Sequence, residues 1–423
     1  MAATTTVYHR EVIKVSPTRQ RVMGIIFLVL AFITWFFLER SVKAGVITSF
    51  GLNAINKGVI LPEWRLETQV TLLVISIICA ILGGIQLARG FKRYTNFVLA
   101  IVVTFFVFAF LTWAAAGQSL NLAGLLYDTL SDAVPLVLAA LSGVLSESGG
   151  VVNIAIEGMM LMGACSASFF ASISHSLWIG MVAGLISGIL LAWIHGYLSI
   201  HYKVNQIVSG TIINIFATGL TSYISTKFLQ VYQNLNDPGV FKPIPIPGLV
   251  NIPVIGTILF YNNILVYIMF LILIVVQVAL LNTVWGLRMR AVGEHPKAAD
   301  TLGVNVIQTR YMAVLLSGAM AGFAGAYFTI GSVGRFDSLM TGGRGFIGLA
   351  AMIFGNYTPV GAFGAGLLFG FADSLASKLA ILGINVPSSI LLMIPYIATM
   401  IVLAGVVGGS RAPAADGVPY TKE

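Results

Sequence analysis

The fold of this chain is constrained most by a series of apolar segments, each near the roughly 20 residues that a helix needs to cross a bilayer. Hydrophobic residues make up 58% of the chain and charged residues only 9%, whereas a soluble domain carries roughly 25% charged residues. The sequence therefore predicts an all-α fold, a polytopic transmembrane helical bundle with about 10–12 membrane segments. The segments are 22–38, 70–88, 97–116, 122–145, 151–173, 177–200, 207–229, 258–281, 311–330, 346–379 and 388–407.

One segment, 346–379, is too long for a single crossing and is interrupted. Asn356, Tyr357, Thr358 and Pro359 bring turn chemistry into its middle. We predict a short half-helix, a break within the membrane and a second helix. Irregular backbone at that depth is tolerated only where protein or a water-filled cavity surrounds it, so the break is expected to be interior.

The basic residues behind the net charge of +8 cluster beside the apolar segments. Cytoplasmic loops carry such an excess of Lys and Arg. With the N-terminus cytoplasmic, residues 89–93, 201–203 and 288–303 are therefore expected inside, and the longer loops 39–68 and 231–257 outside. This arrangement leaves no basic soluble face that could bind nucleic acid.

The polar content of the apolar segments changes near Gln118. The three segments before it have few polar residues, as in helices that face lipid, whereas the later ones contain Gly, Ser, Asn and buried acids. We expect residues 1–117 to form an N-terminal extension with three transmembrane helices, 118–409 to form the functional core, and 410–423 to form a polar C-terminal tail.

Three polar residues of the core are candidates for a substrate pathway: Asn153, Glu157 and Asn214. Asn153 and Glu157 are four residues apart and share a helix face, and acids inside a membrane usually face a bundle interior or an aqueous path. Two structural alternatives remain open. Glu157 could favour a helix start near Gly149-Gly150, and Asn214 could make a helix-to-helix hydrogen bond.

Two further acids, Asp128 and Asp132, also stand four residues apart. Like charges at that spacing repel each other. The pair is therefore interpreted as a hydrated helix end and not as a functional site.

The loop 286–303 predicts a short capped helix. Pro296 suits a first helical residue and Gly303 suits a left-handed cap. Ala298, Ala299 and Leu302 are expected to form one small apolar face. So short a helix is not stable alone, which favours docking against a soluble partner; a helix lying on the bilayer surface is the alternative. The candidate docking residues are Glu294, Pro296, Lys297, Ala298, Ala299, Asp300 and Gly303.

Motifs of several enzyme classes are missing from the sequence. There is no HExxH, no GxSxG and no P-loop, and the five His residues are scattered. We therefore expect no catalytic residues and no metal site, which disfavours an intramembrane enzyme.

The motifs together resemble a known family. The runs 151–160, 206–214 and 290–305, followed by 311–327, are similar to those of the inner-membrane permeases of bacterial ABC importers. These permeases form the branched-chain amino acid, simple sugar and nucleoside superfamily. The first two runs are most similar to the nucleoside branch, which depends on a basic membrane lipoprotein.

The resemblance implies partners and a location. A permease of this type is a multi-pass protein of the bacterial cell (inner) membrane, surrounded by lipid, and it binds no cofactor itself. A separate ABC ATPase subunit uses ATP and is bound by the loop around Pro296. A second related permease, in a heterodimer or a homodimer, and an extracytoplasmic substrate-binding lipoprotein complete the complex. Lys297 departs from the acidic residue common in such loops, and the three N-terminal segments exceed the minimal core.

The implied function is translocation of a nucleoside or a related small sugar-bearing solute by alternating access. Permeation of another small solute, a simple sugar or a branched-chain amino acid, is the alternative within the superfamily. An ion-coupled secondary carrier is the alternative outside it, although it would not need the capped helix and often shows inverted repeats.

Overall fold

The computed structural model describes residues 17–54, 60–382, 393 and 411–422. Their α-helices are α1 (Pro17–Ile33), α2 (Thr68–Ala88), α3 (Thr95–Ala114), α4 (Leu122–Ser148), α5 (Ile156–Ser174), α6 (Leu177–Gly196), α7 (Gln206–Ile224), α8 (Ile255–Phe260), α9 (Ile264–Asn282), α10 (Val284–Glu294), α11 (Pro296–Thr301), α12 (Val306–Ala326), α13 (Arg344–Phe354) and α14 (Pro359–Ile381). The strands are β1 (Ile47–Gly51), β2 (Trp64–Glu67), β3 (Ser119–Asn121), β4 (Ile244–Pro245) and β5 (Tyr261–Asn262). Single π-helical turns continue α1, α6, α7 and α12 at Thr34–Leu38, Tyr197–His201, Ser225–Leu229 and Tyr327–Val333.

Ten helices in the described part of the chain are long and apolar enough to cross a membrane. This confirms the predicted all-α, polytopic bundle. The segment predicted at 258–281 becomes α9, which begins only at Ile264, because the Asn263 side chain caps it by accepting hydrogen bonds from the N–H groups of Leu265 and Val266. The segment predicted at 388–407 lies, apart from residue 393, outside the described residues.

The first compact unit contains residues 17–52 and 61–122. It packs α1, α2 and α3 around the buried side chains of Phe27, Leu72 and Val102. A three-stranded sheet closes one end, where β1 pairs antiparallel with β2 and parallel with β3. Because β3 pairs with β1, the unit extends past Gln118 to Leu122.

The second compact unit contains residues 123–380 and 411–422. At its centre α5, α6 and α12 approach each other through glycines. A Cβ atom added to Gly188 would lie 2.3 Å from the carbonyl oxygen of Gly318, and one added to Gly163 would lie 2.5 Å from that of Gly322. Small residues permit this backbone contact between membrane helices.

Segment 346–379 is divided as the sequence predicts. α13 has 11 residues, about 16 Å at 1.5 Å per residue, which is about half of the roughly 30 Å hydrocarbon core. Asn356 and Tyr357 follow in the left-handed conformation, with φ of 53° and 56°, and α14 begins at Pro359.

The expected interior position of this break is wrong. Asn356 is exposed, and its side-chain oxygen accepts a hydrogen bond from the backbone N–H of Arg411 in the C-terminal tail, at 3.2 Å. The buried irregular backbone lies instead at the other end of α13, where Thr341 is buried. α13 is about half as long as α14. When the turn between them lies at the surface, the start of α13 therefore lies inside the protein.

Two basic loops of this unit lie at the same end as the tail. The backbone N–H of Val152 donates to Gln206 at the start of α7, at 2.7 Å, next to the loop 201–203. Two residues earlier, Gly150 packs so closely that an added Cβ would lie 3.3 Å from Gly293 and 3.4 Å from the carbonyl oxygen of Ala415. We call this end, which carries loops 201–203 and 288–303, the loop end of the second unit.

A glycine substitution tests the central contact. Gly188→Val should lower the stability of the purified protein by about 1–3 kcal/mol or more, because the new side chain meets the rigid backbone of Gly318. Gly219→Ala is the matched control, since a Cβ there meets nothing within 4 Å. Thermal unfolding in detergent measures both variants. Equal melting temperatures for Gly188→Val and the wild type would contradict the described packing.

Candidate functional site

The carboxylate of Glu157 holds the start of α13. Its Oε1 accepts hydrogen bonds from the Thr341 hydroxyl (2.6 Å) and the Gly343 N–H (2.9 Å), and its Oε2 accepts one from the Gly345 N–H (2.6 Å). A negative charge is favourable at this end of a helix. A Cβ at Gly345 would lie 2.6 Å from the Glu157 Cα, so the approach requires glycine.

The two asparagines predicted for the pathway lie beside Glu157. Asn214 accepts a hydrogen bond from the Gly158 N–H (2.8 Å) and donates to the Ile154 carbonyl (2.9 Å). Asn153 accepts from the N–H of Ala155 (3.0 Å) and donates to the Ser317 hydroxyl (2.9 Å). The structure therefore brings all three predicted residues together, around the start of α5. The predicted shared helix face of Asn153 and Glu157 is wrong, because α5 begins only at Ile156 and Asn153 lies before it.

In this conformation the bonds of Asn153, Glu157 and Asn214 go to other parts of the chain. The bonds of Asn214 are those of its structural alternative, a contact between two helices, whereas Glu157 bonds to the start of α13 and not to a helix start near Gly149-Gly150. None of the three residues lines the cavities described below. Their role in the substrate pathway stays a prediction.

A cluster of charges lies between α4, α13 and α14. Arg344 Nε is 3.4 Å from Asp373 Oδ2, and Lys378 Nζ is 2.5 Å from Asp128 Oδ2. Asp132 lies among these four groups. Cations from α13 and α14 compensate the repulsion between Asp128 and Asp132. The Asp128 side chain is 42% exposed, so the interpretation of the pair as a hydrated helix end stays a prediction.

A small cavity opens beside Asp132. Its volume is about 230 Å³, and it lies between α4, the π-helical turn after α12 and the start of α13. The lining combines a carboxylate, a guanidinium group, hydroxyls and aromatic rings: Ser131, Asp132, Tyr327, Phe328, Ser332 and Arg344, with Pro135, Val333, Asp337 and Met340. The Arg344 guanidinium carbon is 5.5 Å from the centre of the Phe328 ring. Such a set can stack against a flat ring and accept hydrogen bonds from hydroxyls.

Sequence reasoning missed this cavity. The available signal was the occurrence of Asp373 and Lys378 in the apolar segment 346–379, with Arg344 just before it, and of Asp128 and Asp132 in the segment 122–145. Because charges of opposite sign inside a membrane pair with one another, two such segments are expected to be neighbours.

A larger cavity of about 590 Å³ lies at the opposite end from the loop end. Its lining is rich in amides and charges, including Gln230, Gln233, Asn234, Asp237 and Arg335. Asn236 joins its two walls by accepting hydrogen bonds from the Ser168 hydroxyl and the Phe336 N–H, both at 2.7 Å, and by donating to the Phe336 carbonyl at 2.9 Å. Asp337 lines both cavities, so the two are adjacent.

The loop end carries the predicted capped helix. α11 begins at Pro296, and the His295 ring nitrogen Nδ1 accepts a hydrogen bond from the Ala298 N–H at 3.1 Å. Gly303 has the left-handed conformation expected of a cap, with φ of +81°. The helix bounds predicted from Pro296 and Gly303 are therefore confirmed.

The single apolar face predicted for α11 is wrong. Ala299 is only 2% exposed and packs with Val292 and Val306, whereas Ala298 is exposed and Leu302 is 85% exposed. Adjacent helical residues point about 100° apart, and Leu302 comes after the last helical residue. The face open to a partner is therefore formed by Lys297, Ala298, Thr301 and Leu302.

The other loop residues face the C-terminal tail. Glu294 Oε2 accepts a hydrogen bond from the Ala414 N–H at 3.2 Å, and Asp300 Oδ1 is 3.9 Å from Lys422 Nζ. Among the residues that the structure describes, no group of three His, Cys, Asp or Glu side chains is placed to hold a metal ion.

Comparison with known proteins gives matches over most of the second unit. The sequence profile of the family "branched-chain amino acid transport system / permease component" matches residues 125–406. The guanosine ABC transporter permease protein NupQ of Bacillus subtilis is 40% identical over 303 residues, which are 70% of this chain and 95% of that protein. The nucleoside ABC transporter permease protein NupC of Lactococcus lactis is 41% identical over 308 residues, with the same coverage of 70% and 95%. No solved structure matches the chain.

Removing the Glu157 carboxylate tests its role at α13. Glu157→Leu leaves the N–H groups of Gly343 and Gly345 without their acceptor, and a buried unpaired group costs about 1–3 kcal/mol. We expect a clearly lower melting temperature in detergent. Glu157→Gln, which keeps one acceptor oxygen, should lie between Glu157→Leu and the wild type. A leucine variant as stable as the wild type would show that these bonds do not stabilise the fold.

Proposed function

Because the chain belongs to the family of branched-chain amino acid transport system permease components, and is a transport subunit rather than an enzyme, we propose that it carries a nucleoside or a related small sugar-bearing solute across the membrane. The cavity beside Asp132 is the observation that carries this proposal. The relatives of the chain that are named for guanosine and nucleoside transport support the same solute class.

The lining of the cavity suits such a solute. A nucleoside combines a flat base with several hydroxyls, and Phe328 and Tyr327 offer ring faces while Asp132 offers a carboxylate acceptor. No hydrogen bond joins the Asp132 carboxylate to another described residue, so it is available to a ligand. The volume of about 230 Å³ lies below the roughly 300–1,000 Å³ typical of ligand sites, so the proposal requires the cavity to widen during alternating access.

The larger cavity provides the approach. Its amide side chains can exchange hydrogen bonds with a hydrated polar solute, and Asp337 borders the passage to the smaller cavity. In the proposed path, the solute enters among Gln230, Gln233 and Asn234 and then moves past Asp337 to Asp132.

Asn153, Glu157 and Asn214 act in this proposal as positioning residues of the pathway. Glu157 fixes the first turn of α13, and the first residue of α13 is Arg344, which lines the cavity. Asn153 and Asn214 in turn hold the start of α5, from which Glu157 projects. Their substitution is expected to affect uptake through the position of Arg344.

ABC permeases work with ATPase and substrate-binding partners, and we propose how these partners meet this chain. The exposed face of α11, with Leu302 at its end, docks an ATPase subunit that hydrolyses ATP while the bundle alternates access. The opposite end, with the larger cavity, receives an extracytoplasmic substrate-binding lipoprotein. A second related permease completes the membrane part of the complex.

Uptake by an Asp132 variant tests the solute site. Asp132→Asn removes the charged acceptor, and a hydrogen bond to a charged group contributes roughly 1.5–3 kcal/mol. We expect about 10- to 100-fold slower uptake of radiolabelled guanosine at low concentration, with normal protein levels. Glu63→Gln, an exposed carboxylate of the first unit, is the matched control.

The competitor profile distinguishes the solute classes. Unlabelled nucleosides should block guanosine uptake, whereas excess D-glucose or leucine should not. Wild-type uptake in Asp132→Asn would place the solute elsewhere, and block by D-glucose alone would favour the sugar permease.

A labelling experiment tests the proposed orientation in the bacterial inner membrane. In this orientation the N-terminus and the loop 288–303 both lie on the cytoplasmic side. Both native cysteines, Cys79 and Cys165, are buried, so background labelling is low. A membrane-impermeant maleimide should label Asp237→Cys in intact spheroplasts but Thr301→Cys only after permeabilisation. Labelling of Thr301→Cys from outside would reverse the orientation.

A further inference from the structure

The described C-terminal residues 411–422 lie along the loop end of the second unit, and we call them the strap. We propose that the strap positions α11 and links it to the helices that line the small cavity, so that movement of a docked ATPase is passed to the solute path. This inference rests on the proposed function in one respect, namely that an ATPase docks on the exposed face of α11.

The first set of contacts joins the strap to α10 and α11. The Ala415 N–H donates to the Gly293 carbonyl at 2.9 Å, and the Ala414 N–H donates to Glu294 at 3.2 Å. Tyr420 packs against the buried cluster that contains Ala299. One side of α11 therefore faces the strap while the other, with Leu302, is exposed.

The second set involves buried charges at the ends of α4 and α12. Arg310 is 1% exposed, and its Nη1 donates to the Val418 carbonyl at 2.9 Å. Asp416 lies beside both Arg310 and Glu147. Burial raises the pKa of Asp416 to about 6, although its contact with Glu147, the Gly417 N–H and the nearby Arg310 charge act in the opposite direction. The strap is therefore held here by the hydrogen bond from Arg310 to Val418, beside the buried carboxylates of Asp416 and Glu147.

The third contact joins the strap to the turn between α13 and α14. The Arg411 N–H donates to the Asn356 side chain at 3.2 Å. The strap thus contacts the end of α4, the start of α12 and the turn between α13 and α14. The opposite ends of these helices carry residues of the charge cluster or the cavity, namely Asp132, Phe328, Arg344 and Asp373.

This geometry separates two tasks at the loop end. Leu302 and its neighbours on α11 are placed to bind a partner, whereas Tyr420 and Asp416 are placed to hold α11 against the bundle. Loss of the strap should therefore leave ATPase binding intact and weaken the link between ATP hydrolysis and transport.

The experiment uses the full complex of permease, ATPase and binding protein in proteoliposomes, with guanosine as the probe. Guanosine taken up per ATP hydrolysed, stimulation of ATP hydrolysis by guanosine, and co-purification of the ATPase are measured for each variant. The variants are Tyr420→Ala, which removes the ring on the Ala299 cluster, and a chain ending at residue 410. Tyr420→Phe, which keeps the ring, and Lys422→Ala, whose exposed ion pair is weak, are the controls.

We expect Tyr420→Ala and the shortened chain to co-purify with the ATPase at wild-type yield, while guanosine uptake per ATP falls by roughly 2- to 30-fold, the range for residues that transmit coupling between sites. Tyr420→Phe should restore it. Unchanged uptake per ATP in Tyr420→Ala would overturn the proposal. A parallel fall of uptake and hydrolysis with the amount of folded protein would also overturn it, since the strap would then only stabilise the bundle. If the shortened chain does not fold, Tyr420→Ala decides.

A docking variant keeps the two proposals apart. Leu302→Glu should abolish co-purification of the ATPase without affecting the melting temperature, because its side chain has no packing partner to lose. If Leu302→Glu keeps the ATPase while Tyr420→Ala still lowers uptake per ATP, docking on this face of α11 fails and the strap remains a coupling element. If both variants behave like the wild type, both proposals fail.

Discussion

The structure of the second unit depends on how a helix that begins inside protein satisfies its first N–H groups. The first N–H groups of a helix have no partner within the helix, and a bilayer offers no water to replace it. Glu157 supplies that partner to α13. This contact determines where α13 starts, therefore where Arg344 points, and therefore how the charges of α4 and α14 are compensated. A carboxylate that looked like a solute ligand is thus first of all a helix cap, and the cavity beside Asp132 depends on it.

Features that could be predicted from the sequence are those set by nearby residues. Apolar segment length predicts the spans, Asn356 to Pro359 predict the divided segment, and Pro296 with Gly303 predict the ends of α11. The cavity was missed, because the role of Asp132 depends on Lys378 and Arg344, more than 200 positions away along the chain. The direction of Ala299 was missed for the same reason, since the side of α11 that becomes buried is decided by Val306 and Tyr420.

The two ends of the second unit are connected by the same helices. α4 contributes Asp132 to the cavity and ends beside the strap, and α12 runs from Arg310 near the strap to the π-helical turn that carries Phe328. The proposed solute site and the proposed ATPase contact are therefore not joined through a flexible loop. Each lies on helices, α4 and α12, whose opposite ends meet the other site, and this continuity allows coupling over such a distance.

The glycine contacts of α5, α6 and α12 set which parts of the unit can move. Where backbone meets backbone, as at Gly188 and Gly318, there are no side chains whose rotamers could adjust, and sliding by a fraction of a turn would bring bulky neighbours into collision. We therefore expect these three helices to keep their relative positions, as one fixed group. The group expected to move is α4 with the α13–α14 hairpin. Its contacts include polar and charged pairs that can exchange partners. What distinguishes α4, α13 and α14 is therefore their charged pairs, since Gly345 and Gly348 bring α13 as close to its neighbours as the glycines of the fixed group.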